Sequence, residues 1–243
     1  MIATPLTHLI NLSLTTNVFP ADWKIAKIIP IYKSGSRSNL DNYRPISILP
    51  VLSKIIEKIK HRQLISFLDR NSLLSPSQFG FRRGLSTELA ATLLLDDIRK
   101  DVDAGKLVGA VFIDLSKAFD TISHTKLLEK LSQYGVNDGE LEWFKDYLFS
   151  RKATVSYNCT SGVREIYTGV PQGSILGPLL FLIFFNDITD VINHAKIVKY
   201  ADDTVLYVAD KETQSIQTQL VMDMESIAVW LKENELIINL KKG

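Results

Sequence analysis

The sequence has a single cysteine, Cys159, among 243 residues, so no internal disulfide can form. So little cysteine fits a reducing compartment, and we expect an intracellular protein. Only four histidines are present and none has a ligand spacing, so a zinc site is not expected. No N-terminal stretch combines a basic start, an apolar run and a small-residue cleavage site, and secretion is therefore not expected.

Long apolar runs are missing as well. The most apolar stretch, residues 175–185, is too short to cross a bilayer and contains Gly177 and Pro178, so it predicts a buried core helix and no membrane span. No repeat, low-complexity tract or Gly/Ser-rich linker divides the chain. With 46% apolar residues, the sequence predicts one compact unit with a substantial interior.

The formal net charge of +1 hides an asymmetry along the chain. Residues 24–83 carry 12 Lys and Arg against 3 Asp and Glu, whereas residues 84–243 carry 16 against 23. A basic region beside an acidic region suits a polymerase, in which one part binds phosphates and the other holds metal ions. An unevenly charged solvated surface is the alternative, and charge alone does not separate the two.

Helical and strand-like patterns are mixed along the chain, which predicts an α+β fold. Apolar residues at helical spacing predict a helix after residue 174 and further helices over 4–17, 53–71, 86–104, 123–134, 140–150 and 213–233. Short β-branched runs predict strands over 27–32, 107–113, 153–157, 163–167, 196–200, 204–208 and 236–240. The strands over 153–157 and 163–167 are expected to form a hairpin.

The first candidate site is Tyr200-Ala201-Asp202-Asp203, which lies between two apolar strands. Asp is poor in strand interiors and good in tight turns, so the acidic pair should occupy the tip of a hairpin. An ordinary acidic turn is the alternative. Adjacent carboxylates repel each other unless cations neutralise them, and an Asn-Gly or Asp-Gly turn would be more usual in a structural hairpin.

A second acidic site follows the apolar strand that ends in Ile113, where Asp114 emerges. If this strand lies in the same sheet as the hairpin, Asp114 can meet Asp202 and Asp203. Mg²⁺ prefers oxygen ligands, typically one or two carboxylates with phosphate oxygens and water. Two such ions about 4 Å apart activate a 3′-hydroxyl and stabilise a departing pyrophosphate.

Several motifs in order resemble those of reverse transcriptases, over nearly the whole chain. Three resemble the A, B and C motifs: Phe112-Ile113-Asp114 with Lys117-Ala118-Phe119-Asp120, Gly169-Val170-Pro171-Gln172-Gly173-Ser174, and Tyr200-Ala201-Asp202-Asp203. Upstream segments resemble the fingers of the non-LTR (LINE-type) branch: Trp23-Lys24, residues 28–33, Tyr43-Arg44-Pro45-Ile46-Ser47 and Gln78-Phe79-Gly80-Phe81-Arg82. Trp230 and residues 239–242 resemble the start of a D motif.

The resemblance implies right-hand polymerase fingers and palm, with an antiparallel palm sheet flanked by helices. We expect the fingers over residues 1–105, with part of 125–168 interposed, and the palm over 106–243, with the thumb absent. It further implies an RNA-directed DNA polymerase that uses an RNA template, a DNA primer, deoxynucleoside triphosphates and two Mg²⁺ ions, with Mn²⁺ as a substitute. For the parent element it implies the nucleus.

The resemblance also implies residue roles. Asp114, Asp202 and Asp203 are the expected catalytic carboxylates, and the Leu115 carbonyl is an expected metal ligand. Phe119 is the expected barrier to a 2′-hydroxyl, with core packing as the alternative. The remaining expected nucleotide-binding residues are Lys33, Arg44, Gln172, Gly173 and Lys242.

Other residues of the motifs have less definite expectations. Arg82 and Arg83 either contact the template backbone or brace the fingers. Asp120 and His124 are expected to cap the following helix, and Asp187 is expected to be structural. The rival interpretations are a transposon-derived relic without turnover, at most an RNA-binding module, and an RNA-dependent RNA polymerase, against which Phe119 argues.

Overall fold

The computed structural model describes residues 2–239. Its helices are α1 (Ala3–Thr16), α2 (Val51–Arg70), α3 (Thr87–Asp103), α4 (His124–Gln133), α5 (Asp138–Leu148), α6 (Leu176–Phe185) and α7 (Thr213–Glu233). Its strands are β1 (Ile25–Tyr32), β2 (Tyr43–Ile48), β3 (Leu107–Ile113), β4 (Arg151–Tyr157), β5 (Cys159–Thr160), β6 (Arg164–Ile166), β7 (Lys196–Tyr200) and β8 (Asp203–Asp210). The α+β prediction is confirmed. No helix within residues 2–239 is long and apolar enough to span a membrane.

The chain divides into two compact units. The first comprises the residues up to Asn71 together with Ile122–Leu180, and the second comprises Ser72–Thr121 and the residues from Phe181 onward. The division into fingers and palm between residues 105 and 106 stays a prediction.

The first unit is built on a sheet in which β1 pairs with β2 antiparallel and with β4 parallel, and β6 pairs with β4 antiparallel. The pairing of β4 with β6 is the predicted hairpin. Its helical core is aromatic: Trp143 stacks on Tyr147 with ring centres 5.6 Å apart, and Phe19 meets Trp143 edge-on. All three side chains are buried, and burying each contributes about 2–3 kcal/mol to folding.

The second unit contains a three-stranded antiparallel sheet in the order β3-β8-β7. Helix α7 packs against β3 and β8. The packing is close at Gly109, where an added Cβ would lie 2.5 Å from a side-chain carbon of Ile216. Trp230 of α7 meets the buried ring of Phe185 edge-on at 5.6 Å. One face of the sheet is therefore covered by a helix that the sequence pattern located correctly.

Three local predictions were wrong or incomplete. The sequence pattern did not predict β2, because Pro45 interrupts it; Pro45 lies opposite Pro30 in β1, beyond the residues of β1 that pair with β4. Residues 236–239 do not form the predicted strand and make only an isolated bridge between Ile238 and Leu115. The expectation that His124 caps α4 was wrong, because its Nε2 instead lies 2.7 Å from the carbonyl oxygen of Gly169.

Candidate active site

The candidate catalytic carboxylates are positioned by the pairing of β3 with β8. Ile113, the last residue of β3, pairs with Thr204 in antiparallel register. Asp114 therefore follows β3 at the same end of the sheet at which Asp203 begins β8. Residues that face each other on neighbouring antiparallel strands have Cα atoms about 5 Å apart. Asp202 lies in the two-residue turn that joins β7 to β8. The sheet thus brings the three backbones to one edge.

The side chains of these carboxylates are accessible. Asp203 is exposed, and Asp114 and Asp202 are half-buried. Within residues 2–239, however, no three His, Cys, Asp or Glu side chains converge closely enough to hold one metal ion. The three carboxylates nevertheless form an all-oxygen donor set, and Mg²⁺ commonly takes only one or two carboxylates together with phosphate oxygens and water. The oxygen atoms that these residues offer are therefore of the kind that Mg²⁺ binds.

A segment near the end of the described residues lies beside Asp114. Asn239 N donates to Asp114 O, and Ser116 N donates to Ile237 O, each at 2.8 Å. The side chain of Asn239 also donates from Nδ2 to Asp114 Oδ2 at 2.6 Å. One carboxylate oxygen of Asp114 is thus engaged by Asn239. Leu115 is buried, and the residues on either side of it make the backbone bonds to this segment.

The turn that carries Asp202 has an unusual backbone. Ala201 adopts φ 56°, in the left-handed region that alanine rarely occupies. The buried side chain of Gln78 binds both backbone polar groups of Ala201: Nε2 donates to Ala201 O at 3.1 Å, and Oε1 accepts from Ala201 N at 2.9 Å. Strained conformations of this kind persist where the surrounding structure determines them, and they cluster at functional sites.

Gly80 completes the support of this turn. A Cβ added at Gly80 would lie 2.2 Å from Ala201 N and 2.9 Å from Ala201 Cα, so only glycine allows this approach. Gly80 N also donates to Gln78 Oε1 at 2.8 Å. Both residues lie in a segment that only the family resemblance indicates, and the resemblance implies no role for either. Both residues contact the backbone of Ala201, and a contact of this kind leaves no pattern in the sequence around either partner.

Phe119 is half-buried and lies in an aromatic stack of the second unit. Its ring stacks on Phe181 with centres 4.6 Å apart and meets Phe81 edge-on at 5.9 Å. Part of the Phe119 ring remains accessible, so packing fixes its position without burying it. Arg82 donates from Nη1 to Ser75 O at 3.0 Å, and Arg83 is exposed; the choice between template contact and bracing stays open for both.

The other expected nucleotide-binding residues lie in the first unit. Lys33 and Arg44 are exposed and lie near the last pair of the β1–β2 ladder, Tyr32 with Tyr43. The structure therefore brings the two cations to the same end of the strand pair. Lys242 lies outside the described residues.

Gln172 and Gly173 belong to the B loop, which we define as residues 171–174. Ser47 N, in β2, donates to Gln172 O at 2.7 Å. Gly173 has φ 125°, and a Cβ there would lie 2.5 Å from Ser47 O, so any other residue would strain the loop and clash with β2. Gly173, an expected nucleotide-binding residue, thus makes a close backbone approach to β2.

Lys199, on β7 beside the turn, is fully buried. Its Nζ donates to Asn186 O at 3.3 Å and lies 5.7 Å from the ring centre of Phe185. Burial lowers the pKa of Lys199 to about 8, although the negative charges of Asp187 and Asp190 partly oppose this. No sequence pattern singles out this residue, because an isolated lysine in a strand usually faces water.

The lowered pKa of Lys199 predicts that stability rises with pH in the alkaline range. Between pH values of about 8 and 10.5, the unfolded chain holds a proton that the folded chain does not, so the free energy of unfolding increases, by at most about 3 kcal/mol. Lys199→Met should lack this increase. Urea unfolding of both proteins at about pH 7.5 and pH 10 measures the difference, and equal pH dependence would contradict it.

Comparison with known proteins agrees with this geometry. A family model described as "Reverse transcriptase (RNA-dependent DNA polymerase)" matches residues 31–243. In Drosophila melanogaster, a probable RNA-directed DNA polymerase from transposon BS is 33% identical over 96% of this chain and 26% of the relative. The RNA-directed DNA polymerase from mobile element jockey is 30% identical over 98% of this chain and 27% of the relative. The chain spans about a quarter of these relatives.

Solved structures show the same fold. Apo telomerase from Candida tropicalis superposes with a TM-score of 0.65 at 13% identity, over 99% of this chain and 48% of the telomerase chain. A form of that telomerase truncated from its C-terminal domain gives 0.64 at 15% identity, over 93% of this chain and 50% of the other. The fingers-and-palm fold is therefore confirmed. By its family model and its relatives, the chain belongs to the reverse transcriptase family, in the branch of the non-LTR retrotransposons.

Proposed function

We propose that this chain is the core of an RNA-directed DNA polymerase that extends a primer 3′-hydroxyl with deoxynucleoside triphosphates. One observation carries the proposal: the register of β3 with β8 brings Asp114, Asp202 and Asp203 to one edge of a sheet. Carboxylates at the edge of a sheet, reachable from solvent, are what metal-assisted nucleotidyl transfer requires.

Divalent metal ions are general to reverse transcriptases, and the finer assignment is a pair of Mg²⁺ ions. Asp114, Asp202 and Asp203 would hold them with the backbone carbonyl of Leu115. When bound, the ions supply activation of the 3′-hydroxyl and stabilisation of the departing pyrophosphate. Asn239 has a supporting part, because its amide already orients the Asp114 carboxylate. Lys242 is proposed to donate a proton to the leaving pyrophosphate.

Several further residues are proposed to bind the incoming nucleotide. Lys33 and Arg44 bind the triphosphate, the first as a point charge and the second as a fork that can hold two phosphate oxygens. Gln172 contacts the sugar and base edge of the nucleotide, and Gly173 allows the backbone of the B loop to come close to it. Phe119 lies under the sugar and excludes a 2′-hydroxyl, which its accessible, stacked ring supports.

The template is proposed to be RNA and the primer DNA. Residues 24–83, with 12 Lys and Arg against 3 Asp and Glu, provide positive charge for the phosphate backbones. Transposon-encoded relatives support the RNA template, and a nuclear site of action for the parent element is proposed on the same ground.

Primer extension tests the proposal. The chain is incubated with poly(rA)/oligo(dT), dTTP and Mg²⁺, with and without a chelator, and primer length is measured. Chelator-sensitive extension is expected. RNA binding without extension would support the rival interpretation of a relic without turnover, and faster incorporation of UTP than of dTTP would indicate an RNA polymerase.

A substitution at Phe119 tests the choice of sugar. Phe119→Val is expected to lower the preference for dTTP over UTP about 10- to 100-fold, because the smaller side chain leaves room for a 2′-hydroxyl. The preference is measured as the ratio of kcat/KM values for the two nucleotides. Phe81→Leu is the matched control, since it removes an edge-on partner of Phe119 and leaves that ring in place. An equal loss of preference in both variants would indicate a packing role.

A further inference from the structure

The carboxylate of Glu57 lies at the start of α6, immediately after the B loop. Its Oε2 accepts hydrogen bonds from Ile175 N at 2.7 Å and from Leu176 N at 3.3 Å. Amides at the start of a helix have no acceptor within it and carry partial positive charge, so a carboxylate there is favourable. Glu57 belongs to α2 and is fully buried, so water does not weaken these bonds. The end of the B loop is therefore tied to α2.

The beginning of the B loop is tied to β2 by the backbone of Ser47, as described above. Within the loop, Ser174 Oγ donates to Pro171 O at 2.9 Å and accepts from Gly177 N at 2.8 Å. Gln172 thus lies between two attachments to the rest of the first unit. Of these two attachments, the second is made by the side chain of Glu57, so a substitution can remove it without changing the backbone.

The surroundings of Glu57 fix its side chain. Arg151, also buried, donates from Nη1 to Tyr147 O at 3.0 Å, and its charge acts on the Glu57 carboxylate. Burial raises the pKa of Glu57, and the two amides and Arg151 oppose this.

We propose that Glu57 is a positioning residue, whose carboxylate holds the B loop so that Gln172 meets the incoming nucleotide. That the loop meets a nucleotide rests on the proposed function. That the loop is held in place rests on the contacts of Glu57. Because Glu57 is buried, it acts only through the loop. Removing it should weaken nucleotide binding more than it slows the transfer step.

The variants are Glu57→Leu and Glu57→Gln in the whole chain, with Asp223→Leu and Asp223→Asn as matched controls. Asp223 is an equivalent buried carboxylate in the second unit, and it accepts from the amides of Asn193, His194 and Ala195 at distances between 2.6 and 3.0 Å. Each pair of variants removes or weakens a buried acceptor of backbone amides. Only Glu57 adjoins the B loop.

The first measurement is amide hydrogen exchange, which needs no polymerase activity. Glu57→Leu is expected to speed exchange at residues 171–177 at least about tenfold, because two hydrogen bonds to a charged group are lost. Asp223→Leu should leave residues 171–177 unchanged and speed exchange at 193–195. Unchanged exchange at 171–177 in Glu57→Leu overturns the inference.

The second measurement separates KM from kcat for dTTP in primer extension. Glu57→Leu is expected to raise KM about tenfold with kcat changed by less than about twofold, whereas Glu57→Gln, whose amide oxygen still accepts, should raise KM only about threefold. An equal rise in KM in the Asp223 variants overturns the inference, since lost stability would explain both. If the wild-type chain extends no primer, the proposed function fails. Hydrogen exchange then tests by itself whether Glu57 holds the B loop in place.

Discussion

Asp202→Asn is expected to lower the rate of primer extension at least about 100-fold. Removing one group that stabilises charge in a transition state typically costs a factor of about 100 to 1000, and asparagine is a neutral and weaker ligand for a hard cation. Stability should change little, because Asp202 is half-buried in a turn and its substitution relieves repulsion from Asp203. The rate is measured on poly(rA)/oligo(dT) with dTTP, and stability by urea unfolding.

The matched control for this prediction is Asp210→Asn. Asp210 ends the same strand that Asp203 begins, and it accepts hydrogen bonds from Ser215 and Gln219. Its substitution should reduce stability slightly and leave the extension rate unchanged. Extension by Asp202→Asn at the wild-type rate would show that the activity comes from a contaminating polymerase or from different residues, and the assignment of the carboxylates would be wrong.

Gly80→Ala is expected to lower the free energy of unfolding by about 3 kcal/mol or more and to abolish primer extension. The added methyl group would lie 2.2 Å from Ala201 N and 3.0 Å from Tyr200 C, and backbone cannot move aside as a flexible side chain can. Either the turn that carries Asp202 shifts, or the Gly80 segment does and withdraws Gln78 from Ala201. Urea unfolding and primer extension measure the two effects.

Gly162→Ala is the control for Gly80→Ala. A Cβ at Gly162 would meet nothing within 4 Å, and Gly162 does not have a positive φ. Its substitution should change stability by no more than about 0.5 kcal/mol. Wild-type stability and activity in Gly80→Ala would mean that the turn tolerates displacement, and the support that we assign to Gly80 would be wrong.

The sequence was sufficient where structure follows from local patterns. The bounds predicted for β3, β7 and α7 agree with the structure, because each is a continuous apolar or periodic run with polar ends. The carboxylates could be grouped because Asp residues follow two of these runs, β3 and β7. Strand β2 was missed for a physical reason: Pro45 weakens a strand pattern, yet it is tolerated where no ladder bond is needed.

The supporting residues of the site could not be predicted in the same way. Gln78, Glu57 and Asn239 each contact backbone or a carboxylate far away in the sequence. A glutamine or glutamate within a helix or loop is ordinarily a solvated surface residue, so composition and periodicity give no reason to single one out. Only the folded chain shows that these side chains are buried or engaged.

The amide of Gln78 has a consequence for the order in which the chain folds. Strands β7 and β8 are joined by two residues, so their hairpin can close early, within microseconds. Gln78 and Ala201 are 123 positions apart, and contacts between such distant residues form late because a long loop must first be closed. A nascent or refolding molecule should therefore acquire the hairpin before its acidic turn takes the conformation that Gln78 holds in the folded chain.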